Sequence, residues 1–209
     1  MDAPTSARQH GIPRTISRED MANLPIRRYE GKVIVVATPE ELEEAQTDLR
    51  AETVVGLDTE TRPAFRKGES HLPCLVQVAT ARAVYLFQLR RTEAFPVLAE
   101  LLSDSRIIKA GISLKDDMRA LKQVFPFSEQ NMLDLGTVAR SGGLGQTGVR
   151  NLAGMLLGFR IPKGTKTSNW AVRELSHAQI AYAATDAWAC RELFLRFQSL
   201  RLLRSTPSA

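Results

Sequence analysis

An α/β fold, a mixed sheet covered by helices, is the architecture that three features of the chain predict. Short runs rich in Val, Ile and Leu recur between turn residues, as in "KVIVVAT" and "TVVGLDT". Two further runs, "PCLVQVAT" and "AVYLFQL", are joined by the polar "TAR", the pattern of a hairpin. Downstream of them helical and extended periods alternate, which builds a sheet with helices packed on it.

The elements follow in order. Residues 1–30 are polar, and Pro4, Gly11, Pro13 and Pro25 interrupt any period, so a loosely held N-terminal extension is expected. "LPIRRYEG" at 24–31 either packs on the domain or stays a solvated arm. "KVIVVAT" is the first strand. "TPEELEEAQTDLR" is a helix, with Thr38 as N-cap, Pro39 at the first helical position and Glu41 closing a capping box. "TVVGLDT" and the hairpin strands come next, then the helical "EAFPVLAELLSD" and a fifth strand, "RIIKAGI". "LKDDMRALKQVF" and "GVRNLAGMLLGF" are helices, and "IPKGTKTSNW" is a polar loop. "SHAQIAYAATDAWACRELFLRFQSL" is a long amphipathic helix capped by Ser176. The expected organisation is an extension at 1–30, one domain at 31–204 and a tail at 205–209.

A chain of 209 residues can bury a proper core. Its 44% hydrophobic and 24% charged residues fit a soluble globular protein. No apolar run approaches the roughly 20 residues that span a bilayer, and the N-terminus lacks the apolar core of a signal peptide, so a cytoplasmic location is expected. Cys74 and Cys190 sit inside apolar runs and read as reduced core residues. A net charge of +5 tilts the chain toward a polyanionic partner.

Chemistry concentrates in three places. In "VVGLDTET", residues 54–61, an apolar strand ends in Asp58 and Glu60. Positions i and i+2 of a strand share a face, so the two carboxylates project together from its C-terminal end, where sites gather in α/β sheets. Held that close they raise each other's pKa unless a cation is present, and hard oxygen ligands suit magnesium or manganese. Taken alone, the pair also reads as solvated acids at a loop edge. In "AYAATDAWAC", Tyr182 and Asp186 are four apart and share a helix face; taken alone, they are a core tyrosine and a polar helix position. In "KAGISLKDDMRAL", Asp116 and Asp117 fall near a helix N-terminus, where the dipole favours anions; taken alone, they are caps.

In this order and spacing the motifs resemble the DEDD superfamily of 3′–5′ exonucleases, in the tyrosine branch that contains ribonuclease D and the Werner syndrome exonuclease domain. The resemblance covers residues 31–204 and is most specific in "KTSNW" followed by "YAATDAWA". The histidine branch would need His at the position of Ala181. The resemblance implies a ribonuclease-H-like fold with a mixed five-stranded central sheet flanked by helices. It implies hydrolysis of single-stranded DNA or RNA from the 3′ end, releasing nucleoside 5′-monophosphates, with two divalent ions, Mg2+ or Mn2+, as cofactors. The four acids carry over as Asp58, Glu60, Asp117 and Asp186, the alignment on "Lys-Ala-Gly" selecting Asp117 over Asp116. By the same resemblance Asp58 bridges the two ions, Glu60 and Asp186 complete the site of the ion that activates water, and Asp117 acts through water at the second. Tyr182 orients the attacking water; with an ordinary pKa near 10 it is a poor base at neutral pH.

Substrate contacts implied in the same way are Lys163 and Lys166, seven and four residues before Trp170, and Leu57 and Thr59, which flank the first acid. Arg62, Arg66, Lys67 and Arg173 are further basic candidates. Trp170 is expected to anchor packing, and His71 and His177 to lie at the surface. Ribonuclease D carries helical nucleic-acid-binding domains after its exonuclease core; "RLLRSTPSA" leaves no room for them, so a stand-alone nuclease domain is expected, with no membrane partner and protein partners open. The rival readings are a non-catalytic binding member of the same fold and an endonuclease or transposase of ribonuclease-H-like type.

Overall fold

A computed structural model describes residues 11–64, 66, 68–164 and 168–203. Six strands form one sheet in the order β1-β4-β3-β2-β5-β6. They are β1 (Lys32–Val35), β2 (Val54–Thr61), β3 (Pro73–Ala79), β4 (Ala83–Gln88), β5 (Ile108–Gly111) and β6 (Met132–Asp134). The β2–β3–β4 meander is antiparallel, while β1 on β4, β5 on β2 and β6 on β5 are parallel. The mixed α/β class stands, and the strand count is six instead of the expected five. β6 is three half-buried residues paired only with β5, too short to show an alternating pattern.

Seven α-helices surround the sheet among the described residues: α1 (Arg18–Asn23), α2 (Pro39–Arg50), α3 (Phe95–Ser103), α4 (Leu114–Leu121), α5 (Leu135–Ser141), α6 (Val149–Leu152) and α7 (His177–Ser199). Thr38 caps α2 and Ser176 caps α7, each closing a capping box, with Glu41 and Gln179 as the reciprocal partners. The expected "GVRNLAGMLLGF" helix is α-helical only through α6. It continues as one π-turn, Ala153–Leu157, and ends at Gly158 with φ 72°.

Two apolar layers hold the sheet. On one face Val55, Leu57, Val76, Val78, Tyr85 and Phe87 pack with Leu49 of α2, Leu98 and Leu102 of α3, and Met118 and Leu121 of α4. On the other Leu75, Ala79, Val84 and Leu86 pack against Ala183, Ala184 and Ala187 of α7. Small residues let α7 lie close. A Cβ at Gly56 would stand 2.0 Å from the Ala187 carbonyl oxygen, so the β2 and α7 backbones touch there. Trp170 is buried in the same layer, as expected of a packing anchor.

Residues 24–31, just before β1, are laid on the domain. The Arg27 amide donates to the Arg160 carbonyl at 3.1 Å and the Arg160 amide to the Pro25 carbonyl at 2.9 Å. The Tyr29 amide donates to Thr185 Oγ1 at 3.1 Å. Of the two readings of 24–31, it is the packed one that the structure has. Cys74 and Cys190 are free thiols. No helix among the described residues is long and apolar enough to cross a membrane.

Candidate active site

Contact between β2 and α7 at Gly56 and Ala187 sets the site. Two residues beyond Gly56 on β2 is Asp58, and one residue before Ala187 on α7 is Asp186. Ligand oxygens of Asp58, Glu60 and Asp186 lie within 4.8 Å of one another. Strand alternation brings Asp58 and Glu60 to the face that α7 covers. The Asp58 carboxyl accepts the Thr59 amide, yet its pKa is held well above the ordinary range, first by burial and then by the negative charges of Asp186, Glu60 and Asp117. Crowding of carboxylates is the signature of a site completed by cations, and an all-oxygen donor set suits a hard divalent ion.

Asp117 stands beside this group. The turn from β5 into α4 passes through Ser113 at φ 61°, a left-handed conformation that favours glycine, and Asp117 follows in the first turn of α4. Its carboxyl accepts the Thr59 hydroxyl, and burial pushes its pKa to about 6. Asp116 is exposed and paired with Arg119. Geometry therefore separates the doubled acid: Asp117 turns toward the first motif, Asp116 toward solvent.

Tyr182 hydrogen-bonds to Asp186, and burial together with Asp186, Glu60 and Asp58 raises its pKa above the ordinary 10. Its ring lies 5.9 Å from that of Trp170, centroid to centroid. A Cβ at Gly164 would fall 1.5 Å from Tyr182 Cδ2, so only a glycine lets the 161–164 backbone lie against the ring. A cavity of about 140 Å³ opens beside it, lined by Tyr182, Lys163 and, from the N-terminal segment, Arg28.

The remaining sequence candidates divide. Leu57 is fully buried, so its side chain belongs to the core and only its backbone is left for a substrate. Thr59 is half-buried and engaged with Asp117. Lys163 is exposed at the cavity, and Lys166 and Lys67 lie outside the described residues. Arg62 is held between His71 and Glu69, and His71 Nε2 sits 3.0 Å from Glu69 Oε1.

Sequence reasoning missed Gln77. It pairs directly with Asp58 across β2 and β3, which puts both side chains on one face. It is completely buried, and neither amide atom has a hydrogen-bond partner among the described residues. A glutamine inside the apolar run "LVQVA" was the available signal; its position opposite Asp58 was not legible without the register.

Fold and site together define a nuclease of ribonuclease-H-like architecture built around clustered carboxylates. The chain belongs to the 3′–5′ exonuclease family, whose pattern matches residues 33–200. Ribonuclease D of Gluconacetobacter diazotrophicus is 32% identical over 165 residues, covering 77% of this chain and 41% of that protein. A 3′–5′ exonuclease of Arabidopsis thaliana is 28% identical over 215 residues, covering 93% of this chain and 71% of the relative. In fold the chain is similar to the Nibbler exonuclease domain of Aedes aegypti, with TM-score 0.72 at 22% identity over 83% of this chain and 90% of that one. Escherichia coli RNase D gives TM-score 0.66 at 21% identity over 82% of this chain and 46% of that one. The chain thus spans about two fifths of the Ribonuclease D from Gluconacetobacter diazotrophicus that it matches.

One pH effect follows from Asp117. A carboxyl with a raised folded pKa keeps its proton longer in the fold than in the unfolded chain. The cost of ionising it is absent below the ordinary 3.8, grows as pH rises and is complete above about 6. Asp58 shares this sign while Glu100 and Asp104 carry the opposite one, so the difference between wild type and variant reports Asp117 together with its charge coupling to Asp58. In metal-free protein, Asp117→Asn should gain melting temperature relative to wild type between about pH 4 and about pH 7. A constant difference across that window would contradict the assignment.

Proposed function

We propose that the chain is a metal-dependent 3′–5′ exonuclease that hydrolyses single-stranded DNA or RNA from the 3′ end and releases nucleoside 5′-monophosphates. The observation that carries this reading is the gathering of Asp58, Glu60 and Asp186 within 4.8 Å, with the Tyr182 hydroxyl bonded to Asp186. Acids so placed repel a phosphodiester unless cations neutralise them, which speaks against a pure binding module.

Asp58, Glu60 and Asp186 would hold one divalent ion, and Asp58 with Asp117 a second; Mg2+ and Mn2+ both suit these ligands. When bound, the ions supply the Lewis acidity that makes water nucleophilic and stabilises the departing 3′-oxygen. The protein's own groups do the rest. The attacking water adds to the terminal phosphorus and gives up its proton to solvent, the bond to the 3′-oxygen of the preceding nucleotide breaks, and that oxygen leaves on the shortened strand and takes a proton from solvent to become the new 3′-hydroxyl. Tyr182, kept protonated by burial and by the acids around it, orients the water by hydrogen bonding and does not remove its proton. Thr59 fixes Asp117, and Gly164 seats the loop that carries Lys163 against the Tyr182 ring. Lys163 and Lys166 are the basic groups of that loop proposed to meet phosphate. Residues 31–204 act as the nuclease domain, 1–30 as an extension and 205–209 as a tail, in a cytoplasmic setting with nucleic acid as the partner. Ribonuclease D relatives make RNA the first substrate to try.

Gln77 steadies Asp58 once the carboxylates are ionised around cations. Gln77→Met keeps the volume and removes an unsatisfied buried amide, so metal-free protein should melt at the same temperature or higher. The rise in melting temperature on adding Mn2+ should shrink, corresponding to roughly 10–100-fold weaker metal binding. A lower metal-free melting temperature with a full Mn2+ response would make Gln77 a packing residue only.

Product chromatography tests the proposal. Single strands incubated with Mg2+ or Mn2+ should yield nucleoside 5′-monophosphates, and chelation should stop their release. Nucleoside 3′-monophosphates, or release that survives chelation, would overturn it.

A further inference from the structure

A second feature of the molecule lies outside the acid cluster. A groove of about 650 Å³ runs between α1 and α6, lined by Arg18, Arg150, Arg160 and Lys163 together with Gln146 and Asn151. Four cations meet there with no carboxylate in the lining. Two of them are fixed in place: Arg150 Nε donates to the Ile161 carbonyl at 3.2 Å, and Arg160 Nε to the Leu24 carbonyl at 3.1 Å. Nearby, the Ile16 amide donates to Gln146 Oε1 at 3.0 Å, which holds the outer wall to the domain. Like charges gathered on an anchored scaffold repel one another, and a polyanion relieves that repulsion. Guanidinium groups also match phosphate in shape as well as charge.

Position decides which polyanion. Lys163 lines both this groove and the cavity that holds Tyr182 and Arg28. Lys163 therefore links the groove to the cavity beside Tyr182, and a strand whose 3′ end sits at the acids would lead its upstream phosphates toward the groove. We infer that this groove, walled by the N-terminal extension, carries the sugar–phosphate backbone of the substrate strand upstream of the scissile bond. The inference rests on the proposed exonuclease reading and assigns residues 16–22 to substrate binding.

The test measures binding without cleavage. Full-length protein in EDTA is titrated into 5′-fluorescein-labelled oligouridine and oligothymidine, from about three to about twenty nucleotides long, and anisotropy is followed as salt is raised. Wild type should gain affinity as the strand lengthens. Arg18→Glu with Asn151→Glu adds two acids to the groove and leaves the Arg150, Arg160 and Gln146 anchors in place. This variant should lose most of that gain, with about tenfold weaker binding of the longest strand and a shallower salt slope. An unchanged melting temperature shows that the wall remains docked; if it falls, Arg18→Ala alone, which touches no anchor, should still flatten the length dependence. Wild-type length dependence in both variants, or equal loss for the shortest and longest strands, would overturn the inference. Polyglutamate competing as well as oligouridine would overturn the nucleic-acid assignment. Failure of the wild type to degrade any strand would instead refute the exonuclease reading, and the EDTA titration would still report on the groove.

Discussion

Asp58→Asn should abolish strand degradation, lowering it by more than about a thousandfold, while the protein folds as before. Asp186→Asn should do the same. Each removes one ligand from a cluster whose oxygens lie within 4.8 Å, and amide oxygen is a weaker partner for a hard cation than carboxylate. The second half of the expectation separates a metal site from a structural acid pair. In metal-free protein, Asp58 is crowded by burial and by Asp186, Glu60 and Asp117. Neutralising it relieves that crowding, so the metal-free variant should melt higher than wild type at neutral pH. Relief of about 1 kcal/mol corresponds to roughly 2–4 °C in a chain of this size. Added Mn2+ should raise the wild-type melting temperature and leave the variant nearly unmoved. Retained degradation in either purified variant would remove these acids from the mechanism.

Tyr182→Phe probes a different link. The ring packs against Gly164 and near Trp170, and phenylalanine keeps those contacts. All four acids remain, so the Mn2+ response should persist. Only the hydroxyl that meets Asp186 is lost. If it orients water, kcat should fall by roughly 10²–10⁴-fold, with KM little changed. Shortening should still proceed from the 3′ end, because direction is set by where the terminal nucleotide seats. Wild-type speed would reduce Tyr182 to a packing residue.

What the sequence made legible was local. The strands, the "TAR" hairpin, the Thr38–Glu41 capping box and the Ser176 cap rest on short-range rules, and they stand in the structure. β6 escaped because three half-buried residues carry no period. α1 escaped because six residues inside a proline-interrupted segment are too few for an autonomous helix. Docking supports it: a Cβ at Gly154 would stand 2.6 Å from Met21 Cε, so the helix leans on a glycine in the π-turn. The acids were readable as motifs, and the alignment on "Lys-Ala-Gly" already preferred Asp117 to Asp116, but their convergence depends on the Gly56–Ala187 approach. Gln77 needed strand register. The basic groove was invisible because its cations come from distant parts of the chain and form no charge run.

The most direct measurement is a denaturing gel of 5′-labelled single strands, RNA and DNA in parallel, incubated with Mg2+ or Mn2+ and sampled over time. The account predicts a ladder shortening one nucleotide at a time from the 3′ end, absent in EDTA and absent with Asp58→Asn. One discrete internal cut, or intact strands that nonetheless bind, would contradict it.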